Sequence, residues 1–177
     1  MIKLNAKQLR KDPGNRWKGV DKRNEVYIIL DNVLDTYNIG SIFRLADAVA
    51  AKKIYLCGGT EIPPNHRIKK ASINTTEWVD WEYVESSVKA IQDLRSTVNN
   101  IQIIAIEQTA KSTPYDKFEY KLPIALIVGH ESDGVSKEVL NMADVIVELP
   151  MFGVNKSLNV MVSLGVVLYE VIENIQT

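Results

Sequence analysis

Five consecutive apolar residues, Val26-Tyr27-Ile28-Ile29-Leu30, constrain the fold of this 177-residue chain more than any other stretch. A strand that is apolar at every position has no face to offer water. It is buried on both sides, which is the pattern of parallel sheets. A polar loop follows at residues 31–38, then a helical segment at residues 39–50 with Ile42, Leu45, Ala46 and Val49 on one face. A second short strand, residues 53–57, closes at Gly58-Gly59. Strand, helix and strand in this order make a βαβ unit.

The alternation continues. Residues 60–82 read as loop-rich, with Pro63-Pro64 and then Trp78 and Trp81. Residues 86–98 read as a helix, with Val88, Ile91, Leu94 and Val98 at helical spacing and Ser86 or Ser87 as cap. Strands are expected at residues 101–106, 122–128 and 145–149. A polar loop fills residues 108–120, a serine-capped short helix residues 136–141, and a long helix residues 158–175. The expected architecture is one α/β domain, residues 25–177, with a mainly parallel sheet and helices on both faces.

Residues 1–24 read as a basic extension. Lys3, Lys7, Arg10, Lys11, Arg16, Lys18, Lys22 and Arg23 face only Asp12 and Asp21 there, although the whole chain has a net charge of −1. Such a segment suits phosphates locally, and a solvated leader explains the composition equally well. Residues 7–11 have the length of one or two helical turns, and Asp12-Pro13-Gly14-Asn15 is a turn pattern. The longest apolar run, residues 158–172, carries Glu170 and is too short to span a bilayer. The first residues lack the apolar core of a signal peptide, and the single Cys57 excludes a disulfide framework. His66 and His130 have no zinc-type spacing, so no metal is expected. A cytoplasmic protein is the expectation.

In open α/β sheets ligands sit at the C-terminal ends of strands. Three polar or glycine-bearing loops fall there: residues 35–41, 129–134 and 149–159. The middle one, Gly129-His130-Glu131-Ser132-Asp133-Gly134, lacks the lysine and hydroxyl of a phosphate loop, and its glycines are misplaced for a dinucleotide fingerprint. The chain has no nucleophile elbow. On motif content alone, a solvated loop carboxylate is the commoner role for Glu131. Arg44 is either a surface arginine or one that holds a phosphate or hydroxyl through several donors, and spacing does not separate the two. His130 flanks the expected pocket as a candidate substrate contact. Trp17, Trp78 and Trp81 are candidates for stacking on bases, with packing the commoner role for the last two. Arg67, Lys69 and Lys70, expected on an outward-reaching loop, are the stronger nucleic-acid candidates, together with Arg10, Lys11 and Arg16.

Three ordered segments carry a family resemblance. They are Tyr37-Asn38-Ile39-Gly40-Ser41-Ile42-Phe43-Arg44-Leu45-Ala46-Asp47-Ala48, then Ile127-Val128-Gly129-His130-Glu131-Ser132-Asp133-Gly134-Val135, then Leu149-Pro150-Met151-Phe152-Gly153 with Ser157-Leu158-Asn159-Val160. From about Val26 to Glu170 the chain resembles the SpoU-like RNA ribose 2′-O-methyltransferases of the SPOUT, or trefoil-knot, superfamily. The resemblance implies a C-terminal trefoil knot, which ordinary topology rules would not anticipate. It implies a homodimer with a shared active site, and S-adenosylmethionine held mostly by backbone groups near Gly129, Leu149 and Leu158. The implied catalytic set is Asn38, Arg44, Glu131, Ser157 and Asn159, with the arginine helping to deprotonate a ribose 2′-hydroxyl of tRNA or rRNA. The single domain leans towards tRNA.

The chain departs from the family pattern at Met161, where serine is frequent, at Tyr37, and at Ala50-Ala51, which stand in place of a usual glycine. Two other classes of function compete. One is a non-catalytic RNA-binding or ribosome-assembly protein on the same fold. The other is a small-molecule enzyme using a nucleotide, against which the missing phosphate and dinucleotide signatures count.

Overall fold

The computed structural model describes residues 22–176. Arg10, Lys11, Arg16, Trp17 and nearly all of the basic extension lie outside the described residues. Seven strands form one sheet in the order β3-β2-β1-β6-β4-β7-β5, and every neighbouring pair is parallel. In chain order the elements are β1 (Asn24–Asp31), α1 (Thr36–Ala48), β2 (Ala51–Cys57), α2 (His66–Ser72), β3 (Trp81–Val84), α3 (Ser87–Thr97), β4 (Gln102–Ile106), β5 (Thr113–Pro114), β6 (Ile124–Gly129), α4 (Lys137–Met142), β7 (Val145–Glu148) and α5 (Val160–Gln176).

The apolar run in β1 does what its composition demands. Val26, Ile28 and Leu30 enter one core cluster with Ile39, Ile42, Phe43 and Ala46 of α1 and Leu164, Val167, Leu168 and Val171 of α5. Tyr27 and Ile29 point the other way, into a second cluster with Ala90, Ile91 and Leu94 of α3 and Val139 of α4. Helices therefore cover both faces, and each fully buried branched side chain contributes about 1.5–3 kcal/mol. Register sets the site. Asp31 pairs with Gly129 of β6 on one side and with Cys57 of β2 on the other. The loops leaving β1 and β6 thus emerge level with each other.

Two elements inside the expected loop-rich region are a correction. Residues 66–72 form α2, whose N-cap Asn65 accepts hydrogen bonds from the Arg67 and Ile68 N–H groups. Trp81–Val84 is the edge strand β3, parallel to β2. Arg67, Lys69 and Lys70 are therefore exposed on a short, docked helix, not on a free loop, and Lys69 faces Glu77 at 4.0 Å. The polar stretch after β4 also holds the two-residue β5 and a 3-10 turn at Tyr115–Lys117. Ser136 does occupy the N-cap of α4, but its hydroxyl makes no capping bond. Its N–H donates to the buried Asp31 carboxylate at 2.8 Å, which also accepts from the Ser87 hydroxyl at 2.8 Å. Trp78 and Trp81 pack as expected: Trp78 is buried and donates from Nε1 to Asp47, and Trp81 meets Phe43 edge-on.

The contact of α1 with α2 depends on Gly40. A β-carbon added there would stand 2.7 Å from the Ile68 carbonyl oxygen and 2.6 Å from the Ala71 β-carbon. Backbone cannot yield cheaply, so Gly40→Ala is expected to destabilise the fold by about 1–3 kcal/mol, read as a lowered denaturant midpoint. Ala50 provides the opposite case. It follows the C-cap of α1 at φ +50°, the left-handed position where glycine is preferred. Ala50→Gly is expected to raise stability by up to about 1 kcal/mol; an unchanged or lowered thermal midpoint would show that the flexibility glycine adds to the unfolded chain cancels the relieved strain.

Candidate active site

The loop after β1 is pinned by its own sequence. Asp35 caps α1, with Oδ1 accepting from the Tyr37 and Asn38 N–H groups at 2.7 and 3.1 Å. That turn holds Asn38, buried, at the sheet's C-terminal edge. Across the gap comes Glu131 from the loop after β6. Its Oε1 accepts from the Asp35 N–H at 2.9 Å and the Asn38 Nδ2 at 3.0 Å, and its Oε2 from the Leu34 N–H at 3.1 Å. Asn159, from the third loop, donates from Nδ2 to the Asn38 Oδ1 at 3.0 Å. The Asn159 Oδ1 meanwhile accepts from the Met161 and Val162 N–H groups and so caps α5. One hydrogen-bonded chain, Glu131–Asn38–Asn159, ties together all three segments.

These bonds decide the state of Glu131. Burial pushes its carboxyl group up, but the Asn38 amide and then the Asp35 and Leu34 N–H groups outweigh that and hold it below the ordinary value. Glu131 is exposed, yet three donors fix it, so it is more than the freely solvated carboxylate that motif content favours. An ionised acceptor holding three donors is a weak base, and its geometry is that of a residue that positions its neighbours.

Beside this chain lies an open cleft of about 210 Å³. Gly129, Leu149 and Leu158, expected around a cofactor, all line it, as do Glu131 and Ser157. Gly129 is required by close packing: a β-carbon there would fall 2.2 Å from the Gly134 carbonyl carbon and oxygen. Gly134 itself sits at φ +71°. Among the described residues the lining includes four carboxylates, Glu107, Glu131, Asp133 and Glu148, and no lysine or arginine. Such a cleft attracts a cation and repels phosphate. Among the described residues no group of three His, Cys, Asp or Glu side chains is placed to hold a metal ion.

The structure does not bring every expected residue to one place. Asn38 and Asn159 back Glu131 without lining the cleft. Arg44 stands apart. It lies on α1 about 9 Å along the axis from Asn38 and about 120° around it. It is exposed and has no hydrogen-bond or ion-pair partner among the described residues. His130 lines the cleft, and its Nδ1 accepts from the Ser132 and Asp133 N–H groups, so in this arrangement the ring proton is on Nε2. Glu107, Gln108 and Ser163 line the cleft and were missed by sequence reasoning. A usable indication existed: Glu107 immediately follows the buried strand β4, at the sheet edge where ligands bind.

Residues 25–169 match the SpoU rRNA Methylase family. The chain belongs to this family. It is 31% identical over 151 residues to a tRNA (guanosine(18)-2′-O)-methyltransferase of Aquifex aeolicus, spanning 84% of this chain and 69% of that one. It is 29% identical over 145 residues to the 23S rRNA (guanosine-2′-O-)-methyltransferase RlmB of Ralstonia nicotianae, spanning 82% of this chain and 57% of that relative. Among solved structures, the A. aeolicus TrmH/SpoU tRNA modifying enzyme superposes with a TM-score of 0.78 at 28% identity, over 97% of this chain and 82% of that one. An AdoMet-bound rRNA methyltransferase from Sinorhizobium meliloti gives 0.79 at 27% identity, over 91% and 60%. The SpoU match covers the sheet, the hydrogen-bonded chain and the cleft, and stops inside α5.

Proposed function

We propose that this SpoU-family chain transfers a methyl group from S-adenosylmethionine to the 2′-hydroxyl of a ribose in tRNA or rRNA. The observation that carries the reading is the meeting of three sequence segments, up to 121 residues apart, in one hydrogen-bonded chain beside an acidic cleft. The cleft fits the cofactor in chemistry: its ammonium and sulfonium groups are cations, and backbone at Gly129, Leu149 and Leu158 is positioned to hold its other parts. When bound, S-adenosylmethionine supplies an electrophilic methyl group on positively charged sulfur. Ser157, on the cleft wall, orients the incoming hydroxyl in this reading. Arg44 lowers the energy of the oxygen as it gains negative charge, and close positioning supplies much of the remaining acceleration. A guanidinium stays charged in proteins, so Arg44 contributes charge and not a proton transfer.

A homodimer completes the site in this reading. Val162, Val166 and Tyr169 form an exposed apolar stripe on α5, opposite its buried residues Leu164, Val167, Leu168 and Val171. Leu34 and Tyr37 are exposed near the start of α1. A second copy covering this face would bring its own Arg44 to the cleft, which accounts for an arginine without a partner among the described residues. The trefoil knot, a cytoplasmic setting, and an RNA-binding role for Arg67, Lys69, Lys70 and the extension belong to the same proposal. tRNA is preferred over rRNA as substrate, because the A. aeolicus relative is named for tRNA.

The test is transfer of labelled methyl from S-adenosylmethionine to tRNA and rRNA transcripts, followed by mass-spectrometric mapping of the modified nucleoside. A methylated ribose in tRNA is the expected product. Tight cofactor and RNA binding with no transfer to either RNA would support the non-catalytic reading instead.

A further inference from the structure

We infer that Glu107 is a cofactor-contacting residue that accepts hydrogen bonds from the hydroxyl groups of a nucleoside ribose. The inference rests on the reading that the cleft takes S-adenosylmethionine. The four carboxylates that line the cleft are held in different ways. Glu131 holds three N–H donors of the hydrogen-bonded chain. Glu148 accepts the Ser112 hydroxyl at 2.8 Å. Asp133 is 86% exposed.

Glu107 differs in being held through both oxygens, by its own strand end and by the 129–134 loop. Its Oε2 accepts the Val135 N–H at 2.9 Å and its Oε1 accepts the Gln108 N–H at 2.8 Å. Each carboxylate oxygen has more than one acceptor site, so both keep capacity for one further donor. The carboxylate is also built in. Gly134 leaves no side chain above it: a β-carbon there would stand 2.2 Å from Oε2. The next residue reaches the other wall, where Gln108 Nε2 meets the Leu149 carbonyl at 3.5 Å. Strand β4 therefore ends in a pair that grips both the 129–134 loop and the exit of β7. A fixed carboxylate with two free acceptor positions matches two neighbouring hydroxyls, which is the chemistry by which strand-end carboxylates hold ribose in other nucleotide sites.

A cross between ligand and residue tests this by calorimetry. The probes are S-adenosylhomocysteine and its 2′-deoxy and 3′-deoxy counterparts. The wild-type protein is expected to lose at least tenfold in affinity when a hydroxyl is removed. Glu107→Ala is expected to lose a similar factor for the parent ligand and to be nearly indifferent to the missing hydroxyl. Equal losses in wild type and variant would overturn the assignment. Glu107→Ala also strips the Val135 N–H of its acceptor, so Glu107→Gln serves as the second variant; it keeps the shape, and intermediate discrimination is its expected result. Failure of the parent reading is distinct, because wild-type protein would then bind none of the three probes.

Discussion

Arg44→Ala is expected to lower methyl transfer at least about a hundredfold, the usual scale for removing one group that stabilises developing charge. The same change should leave the thermal midpoint and cofactor affinity almost untouched. Arg44 is exposed and unpaired among the described residues, and a substitution of that kind shifts stability by no more than about 0.5 kcal/mol. The split between lost activity and retained folding is the informative result; full activity in the variant would remove Arg44 from the site. Subunit mixing sharpens it. If Arg44 acts across a dimer interface, co-expressed Arg44→Ala and Glu131→Ala chains form mixed dimers with one intact site. About a quarter of wild-type activity should return, by the arithmetic of random pairing in a two-fold dimer. No recovery would place Arg44 in the cleft of its own chain.

Glu131→Ala is the second large expected effect, and its pattern is different. It leaves the Leu34 and Asp35 N–H groups and the Asn38 amide without their acceptor. Hydrogen bonds to a charged group are worth about 1.5–3 kcal/mol each when buried, and less here because Glu131 is largely exposed. Activity and stability should therefore fall together, with methyl transfer reduced at least about a hundredfold as Asn38 loses its orientation. Glu131→Gln should rescue little, since its amide nitrogen would face a donor. The pH dependence has a definite sign. The folded carboxyl is held below its ordinary value, so its contribution is complete above the unfolded value near 4.5 and disappears as pH falls through the lower folded one. The Glu131→Ala variant should lack this part of the acid titration. An acid unfolding profile parallel to wild type would show that the bonds contribute nothing to folding.

Much of this was legible in residue types. The all-apolar β1 announced burial on both faces, and the Ile42, Leu45, Ala46 and Val49 stripe located α1. The α2 helix was not legible because it is only seven residues long and buries just Ile68 and Ser72, so no periodicity develops behind Pro63-Pro64. Strand β3 is four half-exposed residues at the sheet edge, too short and too mixed in burial to show a strand pattern. Of the site, the named residues were visible through their motifs, but their bonds were not. Nothing local in the sequence says that Asn38 will meet a partner 93 positions on and another 121 positions on. Glu107 was hidden for a related reason. It belongs to no motif, and its importance comes from the strand end that carries it and from the loop folded over it.

Asn159 has a consequence for how such a protein can change over generations. One amide group both steadies Asn38 and caps the helix that carries the exposed apolar stripe. Loss of that side chain would therefore loosen Asn38 and uncap α5 in one step, and no single compensating substitution elsewhere replaces both roles. Neighbouring surface positions such as Lys156 are freer to drift and adjust substrates. Position 159 is not, so new specificities in this architecture should arise around the amide and leave it in place.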